Sequence, residues 1–297
     1  MFVKCKSIKF VSMQGVQLQN KFSFSNPNIS ISGLSEKKLC IEVGHFFTCF
    51  TISDLSGREI IDFVYFESVQ PVDLNEVSFL LNHEKLNEVN FSDVILVHNR
   101  LEMALVPSSI YKPELSSTIL ETIHGDLTPL EIMVDDVHQW ELHNVYGWKP
   151  ELLSLISSKF PQVRNIQFST AGLRSLFKTL SFEKEQWMKV YFYKNAFHLL
   201  VLKDNQLQLS QTFNFETPQD IIYNILNVVD RLKLDLASIS VDVSGLLDAN
   251  SETWSEFNKF FVTVSLEECP SIENSSKSEE HLPSHYYTPF LITPRCV

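Results

Sequence analysis

Asp135, Asp136, His138, Glu141 and His143 place five metal-capable side chains within nine residues. Carboxylates and imidazoles in that mixture hold zinc or manganese when a turn brings three or four of them to one side. The same run contains Trp140 and reads equally as a polar loop or an exposed strand face, so the spacing leaves both readings open. His281 and His285 stand four apart, but Pro283 lies between them and breaks the helix that would align them. Phosphate binding asks for clustered glycines, whose backbone N–H groups can approach a ligand at positive φ. Only eight glycines occur, none within ten positions of another. GxGxxG, the Walker A loop, the GxSxG elbow and HExxH are all missing. Glu42-Val43-Gly44 and Ser244-Gly245 do fall where candidate strands meet turns, where α/β folds place ligands. The plainer reading of both is a turn glycine beside an ordinary residue.

Composition narrows the partners. The 297 residues carry 36 acidic against 24 basic side chains, a net charge of -12, which repels a phosphate backbone. No nucleic-acid partner is expected. Cysteines at 5, 40, 49, 269 and 296 form no CxxC pair, which fits reduced thiols rather than a disulfide framework or a zinc knuckle. The N-terminal apolar run is broken by lysines and is no signal peptide, and no stretch of about 18 apolar residues occurs to span a membrane. A cytoplasmic location is the expectation, so the N-x-S/T triplets at Asn28, Asn90 and Asn274 carry no meaning.

The elements that would position these residues form a repeat. Residues 39 to 67 alternate or run apolar around turn signals at Gly44 and 54 to 57, which predicts a three-strand meander. Asp73 can cap a following helix, with Glu76 in the capping-box position and Leu74, Val77, Leu80 and Leu81 at helical spacing. One or two strands follow at 93 to 107. The order returns about 150 residues later. Residues 187 to 215 divide into three strands at Lys194-Asn195 and Lys203-Asp204-Asn205. Thr217, Pro218 and Asp220 then open a helix with Ile221, Ile222, Ile225, Leu226, Val229 and Leu232 on one face, and 238 to 245 is a strand. Helical patterns occupy 113 to 124, 149 to 159 and 170 to 180, with strand-like residues at 130 to 134. A polar stretch at 268 to 280 precedes an aromatic end, which is expected to dock as an edge strand.

A doubled β-β-β-α-β unit is similar to the actin-like ATPase fold, an α/β fold in which two ribonuclease-H-like lobes face a nucleotide cleft. LCIEVGHFFTCFTISD, LQLSQTFNFETPQDIIYNILNVVDRLKLD, the strand ending at Ser244-Gly245 and HYYTPFLITPRC together resemble an uncharacterised bacterial family, domain of unknown function 3822 (DUF3822). The resemblance implies a first lobe over 1 to 168 with an N-terminal extension and a second over 169 to 297. It also implies where nucleotide loops would lie. Active actin-like proteins present Asp-x-Gly at the first turn, and here Glu42-Val43-Gly44 stands nearby, followed by His45, Phe46 and Phe47. The matching turn of the second lobe, Tyr193-Lys194-Asn195-Ala196, has neither acid nor glycine. An adenosine would meet Ser244-Gly245 followed by Leu246 and Leu247. The expectation is a degenerate, non-catalytic scaffold that binds an unidentified protein, with no cofactor and no metal. The alternative is residual nucleotide or small-molecule binding lined by Glu42, Gly44, Asn195, Ser244 and Gly245.

Overall fold

A computed structural model describes residues 18–29, 36–87, 89–179, 185–269, 272 and 282–297. They gather into two compact units, one running to Gly172 and taking in Thr293–Val297, the other spanning Leu173–Ile292.

In the first unit β1 (Leu18–Ser25), β2 (Lys38–Gly44), β3 (Phe47–Ser53) and β4 (Ile60–Ser68) are followed by α1 (Leu74–Leu81), the short α2 (Glu84–Asn87) and β5 (Asp93–Asn99). Glu76 accepts a hydrogen bond from the Asp73 amide at 3.1 Å, which fixes the start of α1 as the capping-box pattern predicts. An insertion then supplies β6 (Met103–Pro107), α3 (Ser116–His124), β7 (Glu131–Val137) and β8 (Leu142–Trp148), a small antiparallel sheet ordered β6-β8-β7. The chain returns through α4 (Pro150–Lys159) and β9 (Arg164–Gln167) to α5 (Phe168–Thr179), which belongs to the second unit from Leu173 on. The main sheet is ordered β1-β4-β3-β2-β5-β9, with β5 parallel to β2 and β9 parallel to β5. Leu39, Ile41 and Val43 alternate onto one face, where they meet Val77 and Leu80 of α1 and Leu152 and Ile156 of α4.

The second unit repeats the order with β10 (Gln186–Tyr193), β11 (Ala196–Lys203), β12 (Gln206–Asn214), α6 (Pro218–Leu232), β13 (Ser240–Gly245), α7 (Glu252–Phe260) and β14 (Thr263–Leu266). Its sheet runs β12-β11-β10-β13-β14, with β13 parallel to β10 and β14 parallel to β13. That is the β4-β3-β2-β5-β9 arrangement of the first unit, three antiparallel strands and then two parallel ones. Asp204 and Asn205 both take positive φ, +51° and +59°, as a tight primed hairpin turn requires. Thr217 Oγ1 accepts from the Asp220 amide at 3.3 Å and Asp220 Oδ2 accepts from the Thr217 amide at 2.9 Å. The helix so started buries Ile221, Ile222, Ile225, Val228 and Val229, each contributing about 1.5–3 kcal/mol relative to exposure.

The C-terminal residues depart from the expected edge strand. They form 3-10 turns at Ser284–Tyr286 and Thr288–Leu291 and then α8 (Ile292–Cys296). Pro283, Pro289 and Pro294 lack the amide donors of a ladder, which is why the apolar character docks without a strand. The docking itself is tight, with Tyr287 1%, Phe290 2% and Leu291 0% exposed. The last five residues, expected with the second lobe, group with the first unit. There Lys38 Nζ donates to the carbonyl oxygens of Pro294 and Val297 at 3.1 and 2.7 Å. Apart from 268, 269 and 272, the polar stretch at 268 to 280 lies outside the described residues.

Candidate functional site

In the first unit Cys40, Glu42 and Gly44 alternate onto the face of β2 opposite Leu39, Ile41 and Val43. Glu42 is buried and accepts a 2.7 Å hydrogen bond from Asn99 Nδ2 on β5. Burial pushes its carboxyl up to about 8, against the smaller opposing effect of the Asn99 bond. A carboxyl that holds its proton at neutral pH is a poor metal ligand, because coordination needs the ionised form. Past Gly44 the chain turns, and the carbonyls of His45 and Phe46 accept from the amides of Val72 and Ser68, each at 2.8 Å. Phe47 then folds back. Its ring atoms lie 2.1–2.6 Å from where a Cβ on Gly44 would stand, and the ring stacks on Tyr65 at 5.4 Å. The space that the glycine opens is filled by the chain's own aromatic ring.

In the second unit Asn195 takes φ +57° in the β10–β11 turn, and its carbonyl accepts from the Phe215 amide at 3.0 Å. The parallel register sets Tyr191 beside Ser244 and Phe192 beside Gly245. Gly245 has φ +94°, and a Cβ there would fall 2.1 Å from the Phe192 carbonyl oxygen. That oxygen accepts from the Leu246 amide at 3.0 Å, so the glycine answers a close approach of two backbones. Residues 283–292 pack over this end of the sheet. His285 Nε2 donates to the Leu247 carbonyl at 2.9 Å, Thr288 Oγ1 donates to the Glu267 carbonyl at 2.9 Å, and Phe290 meets Tyr193 edge-on at 5.6 Å. The segment therefore touches the chain just past β13 and β14 and at the end of β10. These carboxyl ends are where open α/β sheets hold ligands.

The acidic and histidine run separates. Asp135 accepts from the Tyr146 hydroxyl at 3.2 Å and from the Gln167 amide at 2.7 Å, so it ties β7 to β8 and β9. Asp136 pairs with His138 at 3.0 Å on the surface, Glu141 turns the hairpin at φ +53°, and the His143 ring stacks on Tyr111 at 4.1 Å. No group of three or more His, Cys, Asp or Glu side chains able to hold a metal ion forms among the described residues. His281 lies outside the described residues. Sequence reasoning passed over the polar groups that the fold buries. His98 is wedged edge-on against Trp148 at 4.0 Å, with Nε2 3.0 Å from Asn165 Oδ1, and burial holds its ring at about 3. His198 sits between Thr212 and Ser210 at 2.8 and 3.1 Å, and burial likewise holds it at about 3. Lys189 donates to Glu267 at 2.6 Å and lies over the rings of Trp187 and Tyr191. The signal in each case was a polar residue inside an otherwise apolar strand.

Residues 12–264 match the family described as Protein of unknown function (DUF3822). The chain belongs to the DUF3822 family. A protein of Bacteroides thetaiotaomicron VPI-5482 with an actin-like ATPase fold and unknown function superposes with a TM-score of 0.68 at 15% identity, covering 89% of this chain and 98% of that one. A chain of the PilM-PilN type IV pilus biogenesis complex superposes at 0.54 with 10% identity, covering 86% and 96%. No curated protein matches significantly. The DUF3822 chain thus has the actin-like ATPase fold, and the paired β4-β3-β2-β5-β9 and β12-β11-β10-β13-β14 orders are its structural basis. No helix among its described residues is long and apolar enough to cross a membrane.

Proposed function

We propose that this DUF3822 chain is a non-catalytic scaffold of the actin-like fold that works by binding another protein. One observation carries the reading: the positions that phosphate or nucleoside would need are taken by the chain itself. Phe47 fills the space at Gly44, the Phe192 backbone closes on Gly245, and residues 283–292 lie across the ends of β10, β13 and β14. Glu42, the acid nearest the expected metal position, is buried and holds its proton. The similarity to a chain of a pilus biogenesis complex supports a part played in an assembly, as fold alone does not imply turnover.

Ser244 favours a second reading. Its hydroxyl is buried with no hydrogen-bond partner among the described residues, which is the kind of group a small ligand satisfies. ATP hydrolysis by the purified protein tests the scaffold reading, and a thermal titration with nucleotide tests the ligand site at Ser244. The scaffold reading expects no turnover above that of a Glu42→Ala variant, and turnover that this substitution abolishes overturns it.

A further inference from the structure

We infer that the outer edge of β12 is a self-association surface, on which a second copy of this chain pairs antiparallel about a twofold axis at Gln211. Exposed sheet edges invite pairing, and proteins that stay single guard them with charge, proline, irregularity or shortness. Across the described strands, all the other sheet edges carry such a guard. β1 has Lys21 and a break in register between Asn20 and Phe22. β9 and β14 are four residues long, β6 ends in Pro107, and β7 carries Glu131, Asp135 and Asp136. β12 is nine residues long, QLQLSQTFN, with no charge and no proline. Its one irregularity, the register step against Val201 and Leu202, falls at Gln208 and leaves 209 to 214 evenly paired with β11.

The occupant follows from the strand's own pattern. Two chains of net charge -12 repel, so a contact between copies requires an uncharged strip, which β12 supplies. A twofold axis at Gln211 sets Leu209 opposite Phe213 of the second copy, Ser210 opposite Thr212, and the two Gln211 side chains opposite each other. The pairing of Leu209 with Phe213, apolar with aromatic, is of a kind that stabilises antiparallel neighbours, while the Ser210 and Thr212 hydroxyls stay with His198. Leu209 and Phe213 pack on the margin of the second unit's core and remain partly exposed, so the added strand would extend that core. Such an isologous contact closes on itself and builds a dimer rather than a fibre.

Sedimentation velocity on the full chain over a dilution series tests this, alongside Gln211→Lys and Gln211→Glu. Gln211 is exposed, so either charge should leave the fold of the single chain intact, read as an unchanged far-UV circular dichroism spectrum. The expected result is a dimer for the natural chain, monomers for each variant alone and a dimer again when the two are mixed. That last result is specific to position 211 facing its own copy. A natural chain that stays monomeric, or a Gln211→Lys variant that still dimerises, overturns the inference, as does a β12 edge that pairs only with another protein.

Discussion

Phe192 and Gly245 lie side by side on the parallel strands β10 and β13 with no room for a side chain on the glycine, since a Cβ would come within 2.1 Å of the Phe192 oxygen. In a phosphate loop a glycine makes room for a ligand. Here it makes room for the neighbouring strand.

Gly245→Ala should therefore destabilise the second unit whether or not any ligand exists. The positive φ alone costs an alanine roughly 1–3 kcal/mol, and the contact with the Phe192 backbone adds to that. Chemical denaturation reads the loss. An unchanged midpoint would mean that the backbones separate freely and that the close approach is not structural.

Glu42 predicts a pH dependence with a definite sign. Its folded-state value of about 8 lies above the ordinary 4.5, so the folded chain binds this proton more tightly than the unfolded chain does. The stability it contributes is complete below pH 4.5 and is lost as the pH rises through 8. Glu42→Gln keeps an acceptor for Asn99 and has no proton to lose. The variant should gain on the natural chain across that window, by up to about 1.4 kcal/mol per pH unit. Parallel denaturation curves for the two proteins at both ends of the window would contradict the burial of an uncharged carboxyl.

Much of this fold was legible from residue order. The two meanders show because their turns carry signals, Gly44 and Asp54 to Gly57 in the first and Lys194-Asn195 and Asp204-Asn205 in the second, and the α6 start shows because Thr217, Pro218 and Asp220 are three independent signals in four residues. β9 and β14, at four residues each, are too short to display a period, and β1 interrupts its apolar steps with Asn20 and Lys21. The run from Asp135 to His143 was ambiguous for a physical reason. Its members alternate across a hairpin, so proximity in sequence becomes divergence in space, with Asp135 drawn inward to Tyr146 and His138 left on the surface. Glu42 and Gly44 were found by position, but no sequence pattern says that Phe47 turns back onto the glycine.

Phe290 anchors the terminal segment, and Phe290→Ala should cost about 3–5 kcal/mol as a buried aromatic lost beside Tyr193. Hydrogen exchange should then quicken at the Glu267 amide, which donates to the Val243 carbonyl at 2.8 Å beneath the loosened segment. A stability loss without faster exchange there would place the role of Phe290 elsewhere.

The most direct test of a scaffold with self-occupied strand ends is a thermal titration of the whole protein with ATP and ADP in the presence of magnesium. A ligand that binds only the folded state raises the midpoint by mass action. No shift is predicted at saturating nucleotide, and a saturable rise that Ser244→Ala abolishes would contradict the account.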